Sequence, residues 1–183
     1  MANLIITVVA IALVAVASLM GAYYGGQAFT EGRDQANAST VLTQGQQIAA
    51  AFRMAEAQGG DLSAQDALWN ATLNDPTYLN PPTAPENDSV TEVSTGQDWY
   101  FAADTDLSAA ANPDAAGTNV VVLQYDDSVG DMCTEVNEAT GATATAITGG
   151  GAVDVSGDVE QAGCASFDAA SDGVDNHFFY FRL

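Results

Sequence analysis

Residues 4–20 contain no charged side chain and only two polar ones, Thr7 and Ser18, and the first charge anywhere in the sequence is Glu31. Drawn as a helix, the run places Leu4, Ile5, Ile6, Val8, Val9, Ile11, Leu13, Val14, Val16, Leu19 and Met20 on every side, so no face is left for water. A segment of this kind needs lipid or protein all round. At 1.5 Å per residue it spans about 26 Å, and continuing it through Gly21, Ala22, Tyr23 and Tyr24 covers a hydrocarbon core of about 30 Å with two tyrosines at interfacial depth. A cleaved export signal is the competing reading, since Ala15-Val16-Ala17 has the small-x-small pattern of a cleavage site, but no basic residue stands before the run. Gly21, Gly25 and Gly26 each weaken a helix by about 1 kcal/mol relative to alanine and mark the expected hinge, a loss of regular hydrogen bonding somewhere between residues 20 and 27 in an assembled state.

Beyond the glycines the pattern changes. Val41, Gly45, Ile48, Phe52 and Ala55 recur at spacings of 3 and 4 on a segment otherwise rich in Gln and Ala, which predicts a helix with one apolar stripe, ending near Gln58-Gly59-Gly60. Together the two halves make one helix on the order of 80 Å long. Residues 61–97 read as a connecting region, with a short capped helix over 61–69 and then Pro76, Pro81, Pro82 and Pro85. Strand-like runs follow at Trp99-Tyr100-Phe101, at Val120-Val121-Val122-Leu123-Gln124-Tyr125 and at Phe178-Phe179-Tyr180-Phe181. The Gly-, Ala- and Thr-rich stretch 140–157 reads as loop or irregular edge strand. The expected fold class is α+β: a long N-terminal helix, apolar then amphipathic, packed on a small antiparallel sheet. The divisions are an apolar segment 1–28, an amphipathic helix 29–60, a connection 61–97 and an acidic head 98–183.

Charge follows the same division. The net charge is −21, yet residues 1–60 hold only Glu31, Asp34 and Glu56 against Arg33 and Arg53, so all but one unit lies after residue 60, where Arg182 is the sole cation. A surface of that sign repels phosphate, and direct nucleic-acid binding is not expected. It is a strongly hydrated surface, and packed copies repel unless salt screens them. The three cations are all arginine, so lysine-based Schiff-base or isopeptide chemistry is excluded.

Two cysteines, Cys133 and Cys164, in a chain that looks exported suggest one disulfide; a reduced buried pair is the alternative. The single histidine, His177, cannot build a histidine metal cluster, and no Gly-x-Ser-x-Gly elbow or glycine-rich nucleotide loop is present. Acidic groups at Asp126, Asp127 and Asp131 and at Asp168, Asp172 and Asp175 lack the ligand spacing of an EF-hand and read as solvated surface. No catalytic residue, cofactor or metal is expected. Asn37, Asn70 and Asn87 each open an N-glycosylation triplet, usable only in a compartment with the transferase.

An apolar N-terminal run continuing into a polar-backed helix, followed by a β-containing head with Cys133 and Cys164 in its C-terminal third, resembles a type IV pilin of the type IVb-like branch. The resemblance covers roughly the first 58 residues in pattern, plus the two cysteines. It implies that Met1 is the first residue left by a prepilin peptidase, that the residues of the apolar run form a filament core and a membrane-storage segment, and that Cys133 and Cys164 bound a surface-exposed region. It also implies partners: identical subunits in a helical homopolymer, and an ATP-driven inner-membrane assembly machine. One position departs from the family pattern. Ile5 stands where a glutamate usually pairs with a neighbour's terminal amine, and no acid occurs before Glu31.

The function expected on these grounds is a non-enzymatic structural subunit, held in the inner membrane and then assembled into an extracellular filament for adhesion, aggregation or motility. The alternative is a membrane-retained pseudopilin, a minor pilin or a bitopic binding module of a secretion system.

Overall fold

A computed structural model describes residues 2–58, 79, 82–85, 98–107, 119–126, 132–143, 145–148, 153–157, 160–168 and 176–183. It contains a single long helix, α1 (Ala2–Ala57), then β1 (Trp99–Ala102), β2 (Val120–Asp126), α2 (Met132–Thr140), β3 (Thr145–Thr148), β4 (Ala162–Asp168) and β5 (Asn176–Arg182). The fold is α+β, as the sequence predicts. The 56 residues of α1 run unbroken for about 84 Å. It closes with Gln58, whose N–H donates to the carbonyls of Met54 and Ala55. The expected helix over 61–69 and most of the connection 61–97 lie outside the described residues.

The five strands form one sheet in the order β1-β2-β5-β4-β3. The pairs β1–β2, β2–β5 and β5–β4 are antiparallel, and β3 joins the edge parallel to β4. Side chains alternate between two cores. Trp99, Phe101, Val121, Leu123, Phe179 and Phe181 face α1 and α2, whereas Tyr100, Ala102, Val120, Val122, Phe178 and Tyr180 pack with Leu107, Val153 and Val155 on the other side. Burial of both faces is why β2 and β5 read as continuous apolar runs instead of alternating ones.

The stripe on α1 is the seam with this sheet. Val41, Ile48 and Ala55 are fully buried and Phe52 partly so. Gly45 lies so close to the Phe181 ring that a Cβ there would overlap it, so the helix rests on β5 at the one glycine of the stripe. Of the proline-rich connection, Ala84 is buried in the α1-facing core, its N–H donating to Asp98 Oδ2 at 2.8 Å, and Gln44 Nε2 donates to the Thr83 carbonyl at 2.8 Å.

Two elements of the head were not expected from the sequence. Residues 132–140 form α2, which ends at Gly141 with φ of 78°, where the Gly141 N–H caps the Asn137 carbonyl at 2.8 Å. Residues 162–168 form β4, whose small residues carry little strand propensity of their own. Within the stretch 140–157, residues 145–148 take the edge-strand alternative.

Candidate assembly surface

The two halves of α1 occupy different environments although the backbone between them is uninterrupted. Leu4, Ile5, Ile6, Val8, Val9, Ile11, Leu13, Val14, Val16, Leu19 and Met20 are each more than half exposed, and Phe29 reaches 75%. Burial begins at Ala38, not at residue 29, so the projecting part extends about two and a half turns further than the amphipathic pattern suggested. The helix through residues 4–20 is long and apolar enough to cross a membrane by length and composition. Ser18 returns its hydroxyl to the Val14 carbonyl at 2.8 Å, which satisfies that donor without water. Tyr23 and Tyr24 meet edge to face with ring centroids 5.7 Å apart and remain exposed.

Gly21, Gly25 and Gly26 do not interrupt the helix of the isolated chain, whereas the hinge expectation for that span concerns the assembled state. Three penalties of about 1 kcal/mol each, set between strong helix-forming flanks, lower helix stability without removing the hydrogen-bond ladder. An added Cβ at any of these positions, or at Gly32, meets nothing within 4 Å. No contact among the described residues therefore requires glycine there, in contrast to Gly45.

Charge first enters where the helix joins the head. Arg33 Nε lies 3.8 Å from Asp34 Oδ1, a solvent-facing pair that contributes little to stability. Asn37 is partly buried within α1, a regular helix, where an N-glycosylation triplet is poorly presented; Asn70 and Asn87 lie outside the described residues.

In the head, Cys133 of α2 and Cys164 of β4 form a disulfide, with Cα atoms 5.4 Å apart. Its tie is reinforced by Asn137, buried one turn along α2, whose side-chain amide donates to the Cys164 carbonyl at 2.9 Å and accepts from the Cys164 N–H at 2.7 Å. Pairing of β3 with β4 starts only at Ala165, so the Asn137 amide supplies the partners a longer edge strand would have given Cys164. His177, inside β5, brings its ring nitrogen within 4.8 Å of both cysteine sulfurs, but a disulfide has no thiolate to offer a metal. The side chains of the acidic groups 126–131 and 168–175 lie outside the described residues.

Arg182 anchors the end of β5, Nη1 lying 3.4 Å from Asp104 Oδ2 and Nη2 donating to the Val155 carbonyl. Burial, and secondarily the nearby carboxylates Asp106 and Asp98, push the phenols of Tyr100 and Tyr125 well above the usual value of 10.0. The exposed Asp154 carboxyl is held below its ordinary value by hydrogen bonds from Ser156. None of these groups converges on a common cavity with a nucleophile, and the feature that dominates the surface is the bare half of α1. Comparison with protein-family models, with curated proteins and with solved structures finds no match.

Proposed function

We propose that the chain is the structural subunit of an extracellular filament, stored in a membrane through the first half of α1 and polymerising by bundling those helices, with the disulfide-closed acidic head outward. The observation that carries the reading is the unpartnered apolar helix: some 25 residues whose large side chains are exposed on every side, continuous with a second half locked into the head. Monomeric soluble proteins do not leave such a surface to water. In lipid the helix is satisfied, and helices of neighbouring copies can replace lipid at modest net cost because Ala10, Ala15, Gly21 and Gly25 permit close approach. A head joined rigidly to the helix transmits the rotation between neighbours, and a rotation that does not close builds an open fibre. The work of such a filament is adhesion, aggregation or motility, carried out by its surfaces and without catalysis.

Electron microscopy of sheared cell-surface material, with intact mass of the main protein, tests the reading. Filaments composed chiefly of this chain with the Cys133–Cys164 bond closed are expected. A chain found only in the membrane fraction, with no filament, would replace polymer with anchored binding module or pseudopilin.

A further inference from the structure

Copies of a chain with net charge −21 repel one another, so a contact between heads needs a local positive point. There are three cations to provide one. Arg33 lies beside Asp34 and Arg182 beside Asp104. Arg53, exposed on α1, has no carboxylate within 4.0 Å among the described residues and makes only a 3.4 Å hydrogen bond to the neutral Gln161 amide. It does not stand alone. Arg53 and Arg182, two of the three cations of the whole chain, line one groove of about 210 Å³ between α1 and the ends of β4 and β5, together with the amides of Gln46 and Gln161. Arg182 reaches the same groove from the β5 side while its Nη atoms hold Asp104 and the Val155 carbonyl.

We infer that this groove is a carboxylate-binding site that receives an acidic side chain of a second copy of the chain, making it the electrostatic contact between heads. The inference rests on the filament reading and names a contact within it. Guanidinium and amide groups offer only donors or neutral dipoles at the rim, the chemistry that holds a carboxylate, and a second copy carries 21 acidic residues after residue 60 against Arg182 as the one cation there. Among the lining residues Ala49, Ala50 and Ala162 are small beside the buried Phe181, and the groove of about 210 Å³ is large enough for an Asp or Glu side chain to enter.

The test is the full chain expressed in its membrane with Arg53→Glu, Arg53→Gln and Arg53→Lys, each checked for a closed disulfide and head circular dichroism before filaments are counted. At low ionic strength Arg53→Glu is expected to lower filament yield at least tenfold and Arg53→Gln less, with Arg53→Lys near the unmodified chain. The defects should shrink as salt is raised past the screening range. Folded Arg53→Glu protein that assembles like the unmodified chain at low salt would overturn the groove contact while leaving the filament standing. Failure of the unmodified chain itself to form filaments would overturn both.

Discussion

The two halves of α1 share one unbroken backbone, yet Leu13 is 66% exposed and Ile48 is fully buried. The difference lies in what each half meets. Residues 38–57 find a sheet whose facing side chains, Trp99, Phe101, Phe179 and Phe181, complete their burial within the chain. Residues 4–33 find no such sheet among the described residues, so their apolar surface adds nothing to the packed core of the head. On the proposed function, folding energy and assembly energy are separated along a single helix, and substitutions in the two halves should separate them experimentally.

The largest contrast is between matched truncations. Ile48→Ala should destabilise the head by about 2–5 kcal/mol, measured by denaturant unfolding in detergent, because it removes a fully buried side chain from a packed core. Leu13→Ala should leave that midpoint unchanged while weakening helix bundling. Equal effects of the two on the head would mean that the bare half folds against it in solution.

Removing the covalent tie comes next. Replacing Cys133 and Cys164 together by serine should lower head stability by about 3–4 kcal/mol, as expected for opening a loop with a sequence separation of 31, while membrane retention persists. Unfolding in the presence and absence of reductant gives the same comparison without mutation, and matching transitions would show that Asn137 and the α2 contacts suffice.

The glycines divide in the same way. Gly45→Ala forces a methyl group into the Phe181 ring and should cost about 1–3 kcal/mol in head stability. Gly25→Ala meets open space in the monomer and should strengthen the isolated helix by up to about 1 kcal/mol. If Gly25→Ala reduces filament yield in spite of that gain, the glycine serves close approach or local stretching in the assembled state. An unchanged or higher yield would remove both roles.

The smallest effect is confined to the packed head and to alkaline pH. The folded state keeps Tyr100 and Tyr125 neutral above the usual phenol value of 10.0, so their contribution is complete below that pH and is lost as pH rises beyond it, when the unfolded chain ionises first. Thermal unfolding followed from pH 8 to 11 should show the midpoint falling only above about pH 10. The double variant Tyr100→Phe, Tyr125→Phe should flatten that fall; an equal fall in both proteins would assign it to other groups.

How legible these features were depended on how local their causes are. The stripe Val41, Gly45, Ile48, Phe52 and Ala55 and the runs that became β1, β2 and β5 announce themselves through periodicity and β-branched or aromatic content. The strand β4 did not, since Ala162, Gly163, Cys164, Ala165 and Ser166 have no strand signature, and they are extended because β5 and the Asn137 amide supply their hydrogen-bond partners. The helix α2, beginning beside a cysteine and ending at a left-handed glycine, was likewise visible only once its packing on α1 and β4 was known. The groove at Arg53 joins residues more than 100 positions apart, so neither half of it carries a signal in the sequence.

By itself the sequence determined that this chain has an apolar segment unable to live in water, a long helix with one packed stripe, an exported-looking cysteine pair and a head of overwhelming negative charge. Each follows from composition or from repeats a few residues long, on which local physics acts directly. Tertiary structure decided the sheet order β1-β2-β5-β4-β3, the parallel edge strand and the meeting of Arg53 with Arg182. Those are relations between distant segments, and only the burial of shared surfaces selects them.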